Sequence, residues 1–186
     1  MISPNWDEED EFLSNQNQIE NPLNYFWMEG DSLAPPCQSD MEIVNAILET
    51  ASPSDRDHLM DIGCGDGRIP IEASLKYNCK STGVEIEENL VNIFRKRIAR
   101  MNIEDKVTAL HCDLRSIDFN IATILIIYLL PEAIEEIKDK LLEYVKKNKI
   151  IICNTWGPKG WIYKSKTICG FSNNVTLYLY DHTSIP

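Results

Sequence analysis

Asp61, Glu85 and Asp113 each follow a short apolar run, and the first of them opens a turn of uncommon composition. In "DIGCGDGRI" glycines recur at 63, 65 and 67, with a second acid, Asp66, between the last two. Glycine is entropically costly to order, so three at alternate positions imply that something approaches the backbone closely. A strand, a glycine-rich turn and a helix are a common setting for nucleotide binding. The dinucleotide spacing GxGxxG fails here, because Arg68 stands at its third glycine. A pyrophosphate would also be repelled by Asp61 and Asp66. A cation would not.

S-adenosyl-L-methionine matches that requirement. It carries a sulfonium, an ammonium, a ribose diol and an adenine, and no phosphate. An acid ending the second strand can hold ribose hydroxyls through charge-assisted hydrogen bonds. "GVEI" supplies Glu85, 18 residues after Gly67. An acid ending the third strand can accept from the adenine amino group, and "HCDL" supplies Asp113. One acid at a strand end is usually a solvated loop residue or a helix cap. Three on successive strands, together with the glycines, agree as parts of one rim.

The elements that must position these acids alternate. Asp40 reads as the N-cap of a helix over "MEIVNAILET". "HLMDIGC" then reads as a strand and "RIPIEASLKYN" as a helix. "KSTGVEI" and "KVTALHC" are strands on either side of a long helix, "EENLVNIFRKRIARM", with Leu90, Val91, Phe94, Ile98 and Met101 inward. "ATILIIYLL" is an apolar run suited to a strand buried on both faces. "PEAIEEIKDKLLEYVKK" reads as one helix and "KIIICNTW" as the fifth strand. "WIYKSKTIC" and "VTLYLYDH" around "GFSNN" read as a terminal hairpin. The pattern predicts an α/β, doubly wound Rossmann-like sheet, mostly parallel with a C-terminal antiparallel hairpin. Ligands of such sheets lie outside the carboxyl ends of the strands, beside strand one.

With these motifs in place the chain resembles the class I, seven-strand S-adenosylmethionine-dependent methyltransferases. "DIGCGDGRI", "GVEI" and "HCDL" stand as that family's first three motifs. The resemblance implies that Asp61, Gly63 and Gly65 line the methionine moiety and that Glu85 binds the ribose. It further implies that Asp113 and Leu114 frame the adenine, with Cys64 and Ile86 in the same cofactor-binding set. A narrower likeness spans residues 33 to 182. "GDGRI", "GVEI" followed by "NLV", "IIYLLP" and a late Trp before "VTLYLY" are similar to one group of protein lysine methyltransferases. That group includes the broad-specificity archaeal enzyme and the ATP synthase c-subunit enzymes. Where its members carry a Pro-Thr-Pro-like segment, this chain has "LAPPCQSDMEIV", with no clear counterpart of the threonine.

The residues after the fourth strand normally face the transferred methyl. Here they read "IYLLP" rather than the Asn/Asp-Pro-Pro-aromatic of amino-directed nucleic-acid enzymes. Tyr128 and Trp156 are therefore the candidate walls of a substrate channel, and core packing is the alternative for each. Asn154 and Thr155 can offer acceptors, or Asn154 can serve the backbone turn. No catalytic triad is expected, and of the histidines 58, 111 and 182, His58 and His111 read as structural. Arg95, Lys96 and Arg100 fall on a solvated helix face. The reading is a protein lysine N-methyltransferase acting on a protein with an accessible lysine. The alternatives are a small-molecule or RNA methyltransferase, or a non-catalytic scaffold subunit.

Charge and composition bound the rest. The 186 residues carry a net charge of -11, with 44% hydrophobic and 25% charged residues. Residues 1–40 hold nine acids and no Lys or Arg, leaving the remainder close to neutral. That balance argues against nucleic acid as a partner, which needs clustered bases. Residues 1–32 read as an acidic leader, partly disordered or a docked flap, and 33–186 as the methyltransferase domain. "WDEEDE" reads as solvated or as a flap that attracts a cationic substrate, and "NYFWMEG" as docked. No metal site is expected. The absence of an eighteen-residue apolar run excludes a membrane-spanning helix. The acidic start and six unpaired-looking cysteines favour the cytosol or nucleus.

Overall fold

Ile124–Ile127 is buried along its whole length, and a strand of that kind belongs in the middle of a sheet covered on both faces. In the computed structural model, which describes residues 4–6, 8 and 39–185, it does so. Five strands are parallel: β1 (His58–Ile62), β2 (Lys80–Glu85), β3 (Val107–His111), β4 (Ile124–Ile127) and β5 (Ile150–Asn154). β6 (Ser165–Cys169) and β7 (Val175–Tyr180) form the antiparallel hairpin. The order across the sheet is β3-β2-β1-β4-β5-β7-β6. The chain reverses its direction of travel between β3 and β4, so β1 sits at the switch point, with Asp61 opposite Gly83 on one side and Ile126 on the other.

Five α-helices lie within residues 39–185: α1 (Met41–Ala51), α2 (Arg68–Tyr77), α3 (Glu88–Met101), α4 (Pro131–Glu136) and α5 (Lys138–Val145). Asp40 caps α1 as expected, its Oδ1 accepting from the Ile43 amide at 2.9 Å. Val44, Ile47 and Leu48 of α1 pack with Leu59, Ile126 and Ile152 on one face of the sheet. Met60, Ile62, Leu125 and Ile127 point to the other face, against Ile134, Leu141 and Tyr144. The alternation follows from the two-residue period of a strand. Burying each of these aliphatic side chains is worth roughly 1.5–3 kcal/mol. The core therefore fixes the strand ends that carry the acids.

Three local expectations change. The helix over 131–147 is two helices, because buried Ile137 leaves helical geometry at φ -104° and ψ 5°. The sixth strand starts only at Ser165. Before it, Trp161 turns inward and meets Tyr180 edge-on, with centroids 6.0 Å apart. Trp6, at the head of the stretch read as solvated, is buried at 5% exposure. The 32/33 boundary and "NYFWMEG" lie outside the described residues. No helix among the described residues is long and apolar enough to cross a membrane.

Candidate active site

The turn after β1 is tied to β2 before any ligand is considered. Gly63 N and Cys64 N both donate to Val84 O, at 2.8 and 3.0 Å. Gly65 N donates to Glu85 Oε2 at 2.9 Å, and Gly67 N to Cys64 O at 3.1 Å. The alternate glycines do different work. A Cβ on Gly65 (φ +57°) would meet nothing within 4 Å, so this position faces open space. A Cβ on Gly67 (φ +83°) would fall 2.0 Å from Phe94 Cδ2. The missing side chain at 67 makes room for Phe94 of α3, not for a ligand.

The two acids of the turn sit in opposite environments. Burial alone would raise the Asp66 pKa, yet hydrogen bonds from Arg68 and the charge of Arg97 hold it below the usual carboxylate range. Both guanidiniums reach Asp66 Oδ2 at 2.6 Å. Asp61 is also buried, at 3% exposure, but no donor among the described residues reaches its carboxylate. Burial first, then the charges of Glu85 and Asp66, push its pKa up to about 8. A buried acid in that state gains most from a cation placed beside it. An ammonium or sulfonium suits this space and a phosphate does not.

The residues at the carboxyl ends of β2 and β3 have their own partners. Glu85 accepts from Ile86 N at 2.8 Å and Glu87 N at 3.0 Å through Oε1, besides the Gly65 amide on Oε2. A carboxylate has about four acceptor positions, so room remains for a hydroxyl donor. Ile86 is exposed and offers an apolar face. Asp113 is engaged by Arg115, Nη2 to Oδ2 at 2.6 Å, and those hydrogen bonds hold its pKa down. Leu114, the next residue, is buried in the core cluster. The Cys64 thiol is raised well above its ordinary pKa by burial and the three nearby acids, which makes it a poor nucleophile.

Tyr128 and Trp156 emerge from the carboxyl ends of neighbouring strands, β4 and β5. The structure brings them together as a stacked pair, with ring centroids 6.2 Å apart and planes 15° apart. Both are half-buried, and Trp156 also packs against the core cluster beneath the sheet's second face. Asn154 is buried and employed internally. Its Oδ1 accepts from the Thr155 hydroxyl at 2.9 Å and its Nδ2 lies 3.5 Å from Ser39 Oγ. Thr155 adopts φ +66° and donates its amide to Thr176 O at 2.9 Å, which fixes the turn into Trp156. His58 meets Thr82 at the amino end of β1, His111 meets the Ile86 carbonyl, and His182 is exposed.

Sequence reasoning missed Ser39, Arg97 and Trp6. Arg97 occupies the buried side of α3, between the exposed Lys96 and Ala99, and its partner Asp66 is 31 residues away. Its position one residue before buried Ile98 was the available signal. Among the described residues no cluster of His, Cys, Asp and Glu can hold a metal ion.

Comparison with known proteins narrows the family. A family model described as the ANTKMT methyltransferase domain matches residues 61–165. A protein-lysine N-methyltransferase of Saccharolobus islandicus is 30% identical over 141 residues, covering 75% of this chain and 88% of that protein. A solved RNA methyltransferase from Salinibacter ruber, in complex with S-adenosyl-L-homocysteine, superposes with a TM-score of 0.72 at 26% identity. It covers 77% of this chain and 92% of that one. TrmN from Thermus thermophilus, at 13% identity and a TM-score of 0.57, shares the fold.

Proposed function

The chain belongs to the ANTKMT methyltransferase domain family, and from that premise we propose that it transfers methyl groups to lysine side chains of a protein substrate. It is an S-adenosyl-L-methionine-dependent methyltransferase. When bound, that cofactor supplies a methyl group already activated by a sulfonium. Asp61, Gly63, Cys64 and Gly65 are assigned to its methionine end, Glu85 and Ile86 to the ribose, and Asp113 and Leu114 to the adenine. The observation that carries the cofactor assignment is Asp61, buried beside two other acids with no donor reaching it among the described residues.

The chain's remaining task is to present a neutral amine in line. The Tyr128–Trp156 stack is assigned as the wall along which the lysine enters. A desolvated ammonium between aromatic and apolar surfaces loses its proton to water more readily, because burial disfavours the charged form. The ring faces hold the ammonium on arrival. With the amine neutral, alignment does most of the work. The uncharged "IYLLP" turn, which offers no amide-type acceptor, supports an aliphatic amine over a nucleobase. The near-neutral body supports a protein partner over a phosphate backbone. A reducing compartment remains part of the proposal.

The test is incubation of the purified chain with methyl-labelled cofactor and a cell extract, followed by separation into protein and RNA. Label on lysine after protein hydrolysis is expected. Label confined to RNA would overturn the lysine assignment in favour of the chemistry named for the Salinibacter protein. No label anywhere, with no cofactor binding by calorimetry, would favour a scaffold role.

A further inference from the structure

Trp6 lies outside the residues matched by the family model, yet its indole is buried against the cofactor motif. It covers a cluster of charged side chains that are themselves nearly inaccessible: Asp66 at 2%, Arg68 at 9%, Glu72 at 0% and Arg97 at 2% exposure. Its ring takes both arginines, with Arg97 Cζ 4.9 Å and Arg68 Cζ 5.4 Å from the centroid. Its Nε1–H donates to Glu72 Oε1 at 2.9 Å, and Glu72 also pairs with Lys76 at 2.9 Å. One side chain thus offers a π face to the cations and a proton to an anion.

The other end of this cluster is the glycine turn. Asp66 stands between Gly65 and Gly67, and Arg97 Nη1 reaches the Asp66 carbonyl at 3.2 Å as well as its carboxylate. Trp6 packs in one apolar cluster with Cys64, Ile71 and Phe94, the ring that fills the space left at Gly67. Ion pairs of this kind hold their geometry only while water is kept out and every partner stays in place.

We propose that Trp6 is a positioning residue of the cofactor site: docked on Arg68 and Arg97, it keeps the Asp66 clamp dry and the turn over residues 63–67 ordered before the cofactor arrives. It touches no ligand and acts through Asp66. A turn ordered in advance costs less to order at binding, so the effect reads out as affinity. The inference holds whichever nucleophile accepts the methyl group.

Two substitutions separate the ring face from simple filling of space. Trp6→Phe keeps an aromatic face and Trp6→Leu keeps apolar volume alone. With S-adenosyl-L-homocysteine titrated into the full chain, the Phe variant should bind within about threefold of the parent. The Leu variant should bind about tenfold more weakly, the size of a desolvated cation–π contact. KM for the cofactor should move with the Leu variant while kcat at saturating cofactor stays. Equal affinities for the two variants, at any level, would overturn the proposal, as would a loss of kcat without a change in KM. A second measurement needs no variant. By reciprocity, saturating S-adenosyl-L-homocysteine should slow exchange of the Trp6 indole N–H in the parent chain. An unchanged exchange rate would also overturn it.

Discussion

Asp61 binds a proton in the folded, ligand-free chain up to about pH 8, whereas an unfolded aspartate loses it near 3.8. Between those values the folded state holds the extra proton, so the stability of the ligand-free chain falls as pH rises through that window. Asp61→Asn removes the ionisation. Its melting temperature should exceed that of the parent at pH 8, by about 2–4 °C for each kcal/mol gained. The difference should vanish near pH 4. The same proton competes with the α-ammonium, the positive charge that S-adenosyl-L-methionine shares with S-adenosyl-L-homocysteine. Affinity for S-adenosyl-L-homocysteine should strengthen with pH by up to about tenfold per unit below 8, then level off. Calorimetry on either side of pH 8 checks this, and a flat profile in the parent would refute the assignment of Asp61. The Asn variant should bind weakly with no such slope. Stability and binding are thus opposed at this one carboxyl.

At the scale of elements, the β1–α2 turn is a joint between a strand and two helices, and its glycines answer to different neighbours. Gly67→Ala would drive a methyl into Phe94 at positive φ, and should cost roughly 2–4 kcal/mol of stability. Gly65→Ala faces open space and should cost only about 1 kcal/mol, while placing its methyl in the space proposed for the cofactor. Thermal melts paired with cofactor titration should find the first variant unstable and the second stable but weak in binding. Equal behaviour would mean that the turn has one role. The elements themselves were largely legible, because apolar runs and alternating patterns report local geometry. The break at Ile137 was not, since the apolar period runs through it and only the backbone angles depart. The acids at the ends of β1, β2 and β3 could be read from their spacing. The Tyr128–Trp156 stack could be named residue by residue but not as a pair, because only the β4–β5 adjacency joins them. Trp6 and Arg97 depend on partners many residues distant, which no local pattern encodes.

At the scale of the molecule, charge and topology divide the chain differently. The acids of residues 1–40 give the molecule most of its net charge, and a basic protein segment would be drawn toward them. With a lysine-rich peptide, KM should rise about threefold to tenfold from low to high salt, with kcat nearly unchanged. A salt-independent KM would remove any steering role from those residues. The sheet imposes a constraint of another sort. β7 is made after β6 but lies between it and β5. During synthesis from the amino end, β5 and β6 emerge from the ribosome with no strand to join them until residues 175–180 follow. The Thr155 amide, which sets the turn into Trp156, waits for Thr176 as well. The proposed substrate wall is therefore among the last parts of the protein to close, and a nascent chain halted short of β7 would already carry every residue assigned to the cofactor while presenting β5 as an open edge.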